Sequence, residues 1–418
     1  MHCVNWPCVN SPSQPRIDTA DADRSLGRMK LSHRITHLTP GGSDGWEVFY
    51  KARAMKAAGI DVIELTIGEH DIRTHPHILA AMNDSANSGH TGYASIPGTT
   101  GLRAAVADRI AQRTGVPTTP DNILITPGGQ SALLAAHTAV LDDADTGLFI
   151  DPYYATYPGT LRAVGAVPRA ISATPEQAFQ PSYHAISAKA GGAKSLLINT
   201  PNNPTGAIYS EATLTGIAQA CQDHDLWLIS DEVYDTQIWE GAHLSPRALE
   251  GMADRTLVVG SMSKSHAMTG SRVGWVCGPQ DVITHLINLA THSTYGVPGY
   301  IQDAATFALD QGSALEDEVS APFRRRRQLT QDLLATQNLV KASPIQGAMY
   351  VMLDIRATRM SGQAFANDLL DAHHIATMPG ESFGAAAAGH IRVAMTIEDH
   401  RYAQALRTVL AHAAACAA

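Results

Sequence analysis

The middle of the chain alternates short apolar runs with longer stretches of helical periodicity. The apolar runs predict five strands, at residues 123–125, 148–150, 195–199, 226–230 and 256–260. Residues 130–140 and 211–224 predict helices between them. Strands that alternate with helices form crossover units and therefore a mostly parallel sheet, whose strands are buried on both faces. Such sheets bind ligands at the carboxyl ends of their strands, so the residues that follow each run are the first candidates for chemistry.

The final hundred residues follow a different pattern, in which alanine-rich helical stretches at 363–373 and 399–415 surround short predicted strands at 349–353 and 391–395. We interpret this part as a smaller α+β lobe. Four regions are expected along the chain: a disordered extension (1–28), an arm with part of the small domain (29–65), a large domain (66–317) and a small C-terminal domain (318–418). Met29 is a plausible alternative start.

Composition and charge exclude several classes of protein. A hydrophobic fraction of 44% and a charged fraction of 17% are typical of globular proteins. A net charge of −9 argues against binding to nucleic acid or to a membrane surface. No apolar run approaches the ~18 residues of a membrane span, and residues 1–28 lack the apolar core of a signal peptide. The arginine run at 324–327 predicts a solvated, salt-bridged helix.

Cysteine usage indicates the redox environment. The chain has five cysteines, at positions 3, 8, 221, 277 and 416, without CxxC or metal-site spacing. This pattern predicts neither a disulfide framework nor a metal site, and it favours a reducing, cytoplasmic compartment.

The first chemical motif is Ser261-Met262-Ser263-Lys264, directly after the last predicted strand, with Arg272 eight residues beyond the lysine. Small hydroxyl donors and a forked guanidinium suit a phosphate. A lysine beside a bound aldehyde can form an imine. The spacing alone leaves two interpretations open: a surface lysine, or a lysine that binds pyridoxal phosphate (PLP).

The second motif lies at the end of the strand at 226–230, where Asp231 is followed by Tyr234. An aspartate there is either a structural cap or an ion-pair partner. Beneath a pyridine ring its charge would keep the ring nitrogen protonated, an interaction worth about 4 kcal/mol at ~4 Å and an effective dielectric of ~20. Tyr234 can supply a phenol to a ring oxygen.

Two turns complete the set. Residues 199–206 hold two prolines and a glycine within six positions, which predicts a rigid turn whose asparagines can donate to an anionic ring oxygen. Residues 126–130 predict a strand-to-helix turn, and backbone N–H groups at a helix N-terminus bind anions. Taken alone, the glycine pair in this second turn indicates only a tight turn.

These four motifs, in this order and each at a strand end, resemble the class I/II aminotransferases of fold type I, which are PLP enzymes. The resemblance covers roughly residues 30–415. It implies an aspartate-aminotransferase-like α/β fold: a large domain with a mainly parallel, seven-stranded sheet and a smaller α+β domain built from both termini. It also implies a homodimer with active sites at the subunit interface.

The resemblance assigns cofactor roles residue by residue. Lys264 is the Schiff-base lysine and the proton shuttle, and Asp231 pairs with the pyridine nitrogen. Asn203 and Tyr234 bind the ring hydroxyl oxygen. The phosphate is expected to be held by hydroxyls, a guanidinium and a glycine turn, from Ser261, Ser263, Arg272, Gly128, Gly129 and Gln130.

Four further residues match positions around the cofactor. Tyr154 matches an aromatic stacked on the ring, worth ~0.5–1.5 kcal/mol, and Tyr93 matches a tyrosine that reaches the phosphate of the neighbouring subunit. Arg392 matches the arginine that binds the substrate α-carboxylate bidentately, beside Gly68, and Asn203 is expected to contact the substrate as well. The alternatives from the sequence are core packing for Tyr154, a turn role for Tyr93 and a structural ion pair for Arg392.

The implied reaction moves the α-amino group of an L-amino acid to a 2-oxo acid, pyruvate or 2-oxoglutarate. Several stretches, among them 263–270 and 388–392, are similar to bacterial arginine–pyruvate transaminases. Two departures leave the substrate open: His70 stands where the family usually has proline, and Ser271 where tryptophan is common. A basic substrate would need a carboxylate in the pocket, and Glu69 is one candidate.

Two other classes share these motifs. A PLP-dependent carbon–sulfur β-lyase on the same scaffold would release ammonia and pyruvate without an added 2-oxo acid. A PLP-binding regulator would need an appended DNA-binding domain, for which the 28 polar residues at the N-terminus are too few.

Overall fold

The computed structural model describes residues 29–40 and 45–418. The predicted extension at 1–28 lies outside the described residues. Among the described helices, none combines the length and the apolar character that crossing a bilayer requires.

Short strands and longer helices alternate along most of the described chain. The strands are β1 (Ile63–Glu64), β2 (Ile123–Thr126), β3 (Thr146–Asp151), β4 (Val167–Ser172), β5 (Ala193–Asn199), β6 (Trp227–Asp231), β7 (Thr256–Ser261), β8 (Gly274–Cys277), β9 (Lys341–Ala342), β10 (Tyr350–Asp354), β11 (Ile375–Ala376), β12 (Met378–Pro379) and β13 (His390–Ala394). The α-helices span His33–Thr36, Glu47–Ala57, Pro76–Asn87, Thr100–Thr114, Gly129–Val140, Tyr157–Ala163, Tyr183–Ser187, Glu211–Asp223, Met262–Ser265, Gln280–Thr291, Gly299–Asp310, Ala314–Leu334, Gly362–His373 and Asp399–Ala417.

The central sheet has seven strands in the order β2-β8-β7-β6-β5-β3-β4. Only β8 runs antiparallel to its neighbours, β2 and β7, and the remaining pairs are parallel. Strands β2, β3, β7 and β8 are buried along their whole length, because helices cover both faces. The predicted mainly parallel, seven-stranded sheet is confirmed.

Strands β4 and β8 were not among the predicted strands. Strand β4 lies at the sheet edge and is largely exposed, so its sequence Val-Pro-Arg-Ala-Ile-Ser has no apolar run. Strand β8 has only four residues and begins with Gly274, which weakens a strand pattern. In both cases the neighbouring strands, rather than the local sequence, decide the conformation.

Local capping explains where several helices begin. Ser210 accepts a hydrogen bond from the backbone N–H of Thr213 at 3.1 Å, and Ser361 accepts one from Ala364 at 3.1 Å. Each serine satisfies one of the unpaired N–H groups of a first helical turn. These two caps fix the starts of the helices Glu211–Asp223 and Gly362–His373.

The smaller lobe joins both ends of the described chain. Its antiparallel sheet has the order β12-β13-β10-β9, and β1 pairs in parallel with β11. Val48 and Leu65, from the N-terminal side, share one hydrophobic core with Phe365 and Val393. The boundary predicted at 317/318 falls inside the helix Ala314–Leu334.

The arginine run corrects one prediction. Arg326 is only 2% exposed, whereas Arg324 and Arg325 are exposed. Its Nη1 and Nη2 donate to the two carboxylate oxygens of Asp71 at 2.9 and 2.6 Å, and its Nε donates to Asp399 at 2.9 Å. The prediction of a solvated helix face is therefore wrong for Arg326, because helical periodicity turns this one position toward the core.

Candidate active site

Most of the predicted site residues converge at one edge of the central sheet. Strand β5 ends at Asn199, β6 at Asp231 and β7 at Ser261, and Asn199 lies directly beside Asp231 in the register. Strand β2 points the same way as β7, since both run antiparallel to β8, so the turn after Thr126 reaches the same edge. Four motifs that are far apart in the chain therefore surround one cleft.

Lys264 lies in the single-turn helix Met262–Ser265 that follows β7. Its Nζ donates to the carbonyl oxygen of Gly68 at 2.5 Å. Burial lowers the pKa of Lys264, which the phenol of Tyr350 and the carboxylate of Glu69 partly offset. A buried amine with a lowered pKa is more often neutral near pH 7 and can act as a nucleophile or a base.

The backbone of Lys264 is fixed from a second direction. Its carbonyl oxygen lies 3.1 Å from Nε2 of His70 and accepts from Nε2 of Gln237 at 3.2 Å. Burial lowers the pKa of His70 to about 3, so the ring is neutral and Nε2 carries the proton in this contact. His70, which departs from the usual family residue, thus helps to hold the lysine turn.

Asp231 is buried at the end of β6. The phenol of Tyr157 donates to its Oδ2 at 2.7 Å, and the backbone N–H of Val233 donates to its Oδ1 at 3.3 Å. Burial raises the pKa of the Asp231 carboxyl to about 6, although these two hydrogen bonds lower it. Among the described residues, no lysine, arginine or histidine forms an ion pair with this carboxylate.

Small donors and a guanidinium surround the turn after β2. The hydroxyl of Ser261 accepts from the backbone N–H of Ser263 at 3.0 Å and donates to the Ser263 hydroxyl at 2.9 Å. Arg272 lies against Gly128: a methyl group at Gly128 would come within 2.3 Å of its Nη2. Gly128 also has φ +82°, a conformation that glycine adopts without strain.

The helix Gly129–Val140 begins beside these groups, so its first backbone N–H groups face the same space. The side chain of Gln130 turns away from it. Its Nε2 donates to Thr160 at 2.8 Å, and its Oε1 accepts from Thr156 at 3.2 Å. Gln130 can therefore contribute its backbone N–H to an anion, but its amide side chain is already engaged.

Arg392 is 1% exposed and comes from β13 in the smaller lobe. Its guanidinium carbon lies 4.3 Å from the ring centroid of Tyr350 and 4.4 Å from that of Phe383. Its Nη1 donates to Oδ1 of Asn203 at 2.8 Å, and its Nη2 donates to the carbonyl oxygen of Thr66. Its Nε is buried without a hydrogen-bond partner among the described residues, so one donor of the planar fork is still free for a ligand.

Tyr234 and Tyr350 both lie close to Arg392, and Tyr350 also lies close to Lys264. Their hydroxyl oxygens lie 3.1 Å apart, and burial raises the pKa of Tyr234 well above its usual range. Gly68 faces Tyr350 so closely that a methyl group on its Cα would come within 1.8 Å of the phenol oxygen. Only glycine allows the main chain to approach the site at this point.

Tyr154 lies half-buried at the cleft, with its ring edge-on to Tyr157 at 5.8 Å. Burial raises its pKa to about 12, and the charges of Asp231, Arg392 and Arg272 all act on it. Tyr154 therefore lies close to the charged residues of the cleft, and its predicted stacking on a cofactor ring stays a prediction.

Tyr93 is 91% exposed, and its ring lies edge-on to that of Tyr295 at 5.2 Å. Among the described residues, its side chain contacts the ring of Tyr295 and none of the cleft residues of its own chain. Among the predicted site residues in the described part of the chain, Tyr93 is the one whose side chain lies on the surface of the single chain, away from the cleft.

Sequence reasoning missed four residues that complete the site. They lie far in the chain from the motifs they support, or within segments that have no motif of their own: Tyr157, Gln237, Tyr350 and Phe383. His70 was noted as a departure from the family pattern, but its contact with the Lys264 backbone was not predicted. Tyr157 lies four residues after Tyr153, and an aromatic residue at this position only weakly indicates a place in the site. The other contacts are formed only by the tertiary structure.

The sequence is also similar to proteins of known activity. The family described as "Aminotransferase class I and II" matches residues 60–409. This chain belongs to the class I and II aminotransferases. It is 38% identical over 391 residues to the arginine–pyruvate transaminase AruH of Pseudomonas aeruginosa, covering 93% of this chain and 98% of that protein. It is 33% identical over 380 residues to the aspartate/prephenate aminotransferase of Thermus thermophilus, covering 90% and 97%.

The fold agrees with this membership. The solved structure of the Thermus thermophilus aspartate aminotransferase with maleate superposes with a TM-score of 0.86 at 33% identity, and the match covers 92% of this chain and all of that chain. The aspartate-aminotransferase-like fold type I is thereby confirmed. The protein is an aminotransferase, and its family uses PLP.

The residues of the cleft fit PLP. Asp231 is a buried carboxylate that lacks a cationic partner among the described side chains, and a protonated pyridine nitrogen would supply one. Arg272, two serine hydroxyls and a helix N-terminus match the demands of a phosphate. Lys264 offers a buried amine for the aldehyde. When bound, PLP supplies a carbonyl group that condenses with amines and a ring that withdraws electrons from the neighbouring carbon.

Proposed function

We propose that this aminotransferase takes a basic L-amino acid, arginine first, as its amino donor and pyruvate as its acceptor. The observation that carries the proposal is the position of Glu69. Its carboxylate follows Gly68 directly, is exposed at the cleft, and is close enough to Lys264 to raise the pKa of that amine. A carboxylate at this place can form a charge-assisted, bidentate hydrogen bond with a guanidinium. The name of the Pseudomonas aeruginosa relative supports the same donor.

At the other end of the substrate, Arg392 receives the α-carboxylate. The two aromatic rings of Tyr350 and Phe383 hold the guanidinium plane, and the amide of Asn203 fixes one of its nitrogens. The free Nε, together with a neighbouring Nη, can donate to the two carboxylate oxygens. Gly68 leaves room for the substrate backbone beside this clamp.

Lys264 moves the proton. Burial keeps a part of its amine neutral, so Nζ can take the proton from the substrate α-carbon and return it on the next step. Proton transfer by a positioned side chain typically contributes ~10²–10⁴-fold to the rate. Bound PLP would be held by residues of this chain: Asp231 would pair with the pyridine nitrogen, Tyr234 and Asn203 would bind the ring hydroxyl oxygen, and Tyr154 would lie against the ring. Ser261, Ser263, Arg272 and the Gly128–Gln130 turn would bind the phosphate.

We also propose a homodimer in which Tyr93 reaches the phosphate site of the neighbouring subunit. An aromatic side chain that is 91% exposed beside a second exposed aromatic, Tyr295, favours an interface at this surface. Sedimentation of the holoenzyme should give a dimer mass, and Tyr93→Phe should weaken PLP binding. A monomeric active holoenzyme would contradict this proposal. We further expect the reducing environment of the cytoplasm, because Cys221, Cys277 and Cys416 are unpaired.

The donor proposal is tested with two donors of different charge. The wild-type holoenzyme is assayed with arginine and with methionine, each with pyruvate, and then with the exposed-site variants Glu69→Gln and Glu250→Gln. Loss of a charge-assisted hydrogen bond should lower kcat/KM for arginine about 10–100-fold in Glu69→Gln and leave methionine unchanged. Glu250→Gln should change neither donor.

Equal losses for both donors in Glu69→Gln would show that Glu69 acts on the site in general and not on the basic side chain. Strong activity with aspartate or aromatic donors, without activity on arginine, would overturn the proposed donor and leave the family unaffected. Replacement of pyruvate by 2-oxoglutarate in the same assay identifies the acceptor.

A further inference from the structure

The last helix of the smaller lobe carries a cluster of metal-ligating side chains that the transamination site does not use. His412 and Cys416 lie one turn apart on the helix Asp399–Ala417, and therefore on the same helix face. Asp368 lies on the helix Gly362–His373, which packs against it. One nitrogen, one sulfur and one oxygen from these three residues all lie within 4.8 Å of one another.

The carboxylate of Asp368 and the thiol of Cys416 both lie close to the same ring nitrogen of His412. Nε2 of His412 lies 3.2 Å from Oδ2 of Asp368 and 3.7 Å from Sγ of Cys416. A neutral Nε2 can donate its proton to the carboxylate or accept the thiol proton, but it cannot do both at once. A cation in place of these protons would satisfy the nitrogen lone pair, the carboxylate and the thiolate together.

The spacing suits a tetrahedral ion. With Zn–N, Zn–O and Zn–S bonds of about 2.0–2.3 Å, ligand atoms in a tetrahedron lie about 3.2–3.8 Å apart. The two distances at His412 already fall in this range. The Asp368 side chain is 56% exposed, so it can turn toward Cys416 without disturbing the core.

Packing holds the central ligand in place. The His412 side chain is 7% exposed, and its ring lies edge-on to Phe365 at 5.0 Å. The ring of His373, at the end of the neighbouring helix, lies 5.1 Å away and offers a fourth ligand if its side chain rotates, and water is the alternative. An imidazole, a thiolate and a carboxylate with one open position form a ligand set that zinc accepts.

We propose that Asp368, His412 and Cys416 form a Zn²⁺ site that ties the C-terminal helix to the helix Gly362–His373. The sequence did not predict this site, because the cysteines lack metal-site spacing and the carboxylate lies 44 residues before the histidine. The proposed ion is separate from the PLP site and takes no part in amino transfer. Its effect is to stabilise the folded lobe, since an ion that binds only the folded state shifts the unfolding equilibrium.

The test uses the full-length holoenzyme without an affinity tag, since a histidine tag would itself bind zinc. Cys3→Ser and Cys8→Ser are introduced as the parent background, because both cysteines lie outside the described residues. After treatment with a chelator and dialysis against zinc, the parent should retain one zinc per chain by elemental analysis. With cadmium it should show ultraviolet sulfur-to-metal charge-transfer absorbance.

Two variants of the proposed ligands test the zinc site directly. Cys416→Ser and Asp368→Asn should each weaken zinc binding at least about tenfold in competition with a chromophoric chelator, because even the loss of an outer-shell partner costs ~10–100-fold. Cys416→Ser should also abolish the cadmium absorbance. Both side chains are at least partly exposed, so these variants should fold, which a change at buried His412 would not guarantee.

Matched controls on the same two helices are Asp371→Asn and His400→Gln, which should bind zinc like the parent. A parent without bound zinc, or ligand variants that bind zinc as tightly as the parent, would overturn the site and leave only a hydrogen bond between His412 and Asp368. Transaminase activity should be unchanged in all four variants. The outcome is therefore independent of the proposed amino donor.

Discussion

The phenol of Tyr157 donates a 2.7 Å hydrogen bond to Oδ2 of Asp231, a residue 74 positions further along the chain. Both residues are buried, and the bond lowers the pKa of a carboxyl that burial raises to about 6. Tyr157 thus helps to keep Asp231 ionised, which is the form that can pair with a protonated pyridine nitrogen.

Tyr157→Phe is expected to weaken the binding of PLP to the apoenzyme. A hydrogen bond to a charged group contributes about 1.5–3 kcal/mol, so the dissociation constant should rise about 10–100-fold. The pKa of Asp231 should also rise, because a hydrogen bond that favours the charged form is lost. Titration of the apoenzyme with PLP, followed by fluorescence, measures the affinity.

The pH dependence gives a second readout for the same variant. In the wild type, PLP affinity should fall as pH drops through about 6, since Asp231 then becomes neutral in the apoenzyme. In Tyr157→Phe this fall should begin at higher pH. Tyr153→Phe is the matched control, and an equal effect from it would contradict the role of Tyr157.

Lys264→Ala is expected to abolish turnover. Removal of the proton-transferring amine should lower kcat by at least ~10²–10⁴-fold, and the visible absorbance band of lysine-bound PLP should disappear. Lys189→Ala, at an exposed position, serves as the control and should retain both properties. Retention of the absorbance band in Lys264→Ala would show that another residue binds the aldehyde.

Arg392→Lys is expected to impair substrate binding although it keeps the positive charge. Lysine has neither the planar fork nor the stacking surface that Tyr350 and Phe383 hold. The value of kcat/KM should fall about 10–100-fold, mainly through KM, in assays over a range of donor concentrations. Arg401→Lys, a change at an exposed arginine paired with Asp61, should behave like the wild type. An unchanged kcat/KM in Arg392→Lys would contradict the role of Arg392 in substrate binding.

Gly68→Ala is expected to damage the site by steric conflict. Its new methyl group would lie 1.8 Å from the phenol oxygen of Tyr350, so the main chain or the tyrosine must move. We expect a large loss of kcat/KM and a lower Tm by differential scanning calorimetry. Gly191→Ala, which meets no atom within 4 Å, should change the free energy of unfolding by less than ~0.5 kcal/mol.

Arg326→Met is expected to destabilise the protein by about 3 kcal/mol. The guanidinium joins Asp71 and Asp399, and removal of one partner of a buried ion pair costs about 3–5 kcal/mol. We expect the lower end of this range of energies because the carboxylates of Asp71 and Asp399 are both partly exposed to solvent. Arg324→Met, an exposed neighbour, should cost less than about 1 kcal/mol in the same urea titration. Equal losses in the free energy of unfolding for the two variants would mean that the buried ion pairs of Arg326 do not stabilise the protein.

Much of the candidate site was predictable because its residues occur in short local motifs at strand ends. Asp231 ends β6 and Lys264 follows β7, and a parallel sheet brings such ends together whatever lies between them. The predicted strand positions differ from the observed ones by only one or two residues. The helix from 129 to 140 was predicted within one residue, because a glycine turn and an apolar stripe define it.

Contacts between distant segments were not predictable in this way. Tyr350 and Phe383 hold Arg392, yet each lies in a stretch whose pattern indicates only a buried strand or a turn. The arginine run gave no sign of which member is buried, since a helix turns each successive residue by about 100° and the partner carboxylate of Asp71 lies 255 positions away.

The sequence by itself determined five strands of the central sheet, the strand-end motifs and the family, because hydrophobic periodicity and strand-end residues are local properties of the chain. The tertiary structure decided the partners of those motifs: the phenol on Asp231, the aromatic rings around Arg392, the closeness of Gly68 to Tyr350 and the cluster at His412. Such contacts depend on how elements pack against one another, and packing brings together residues that no local pattern relates.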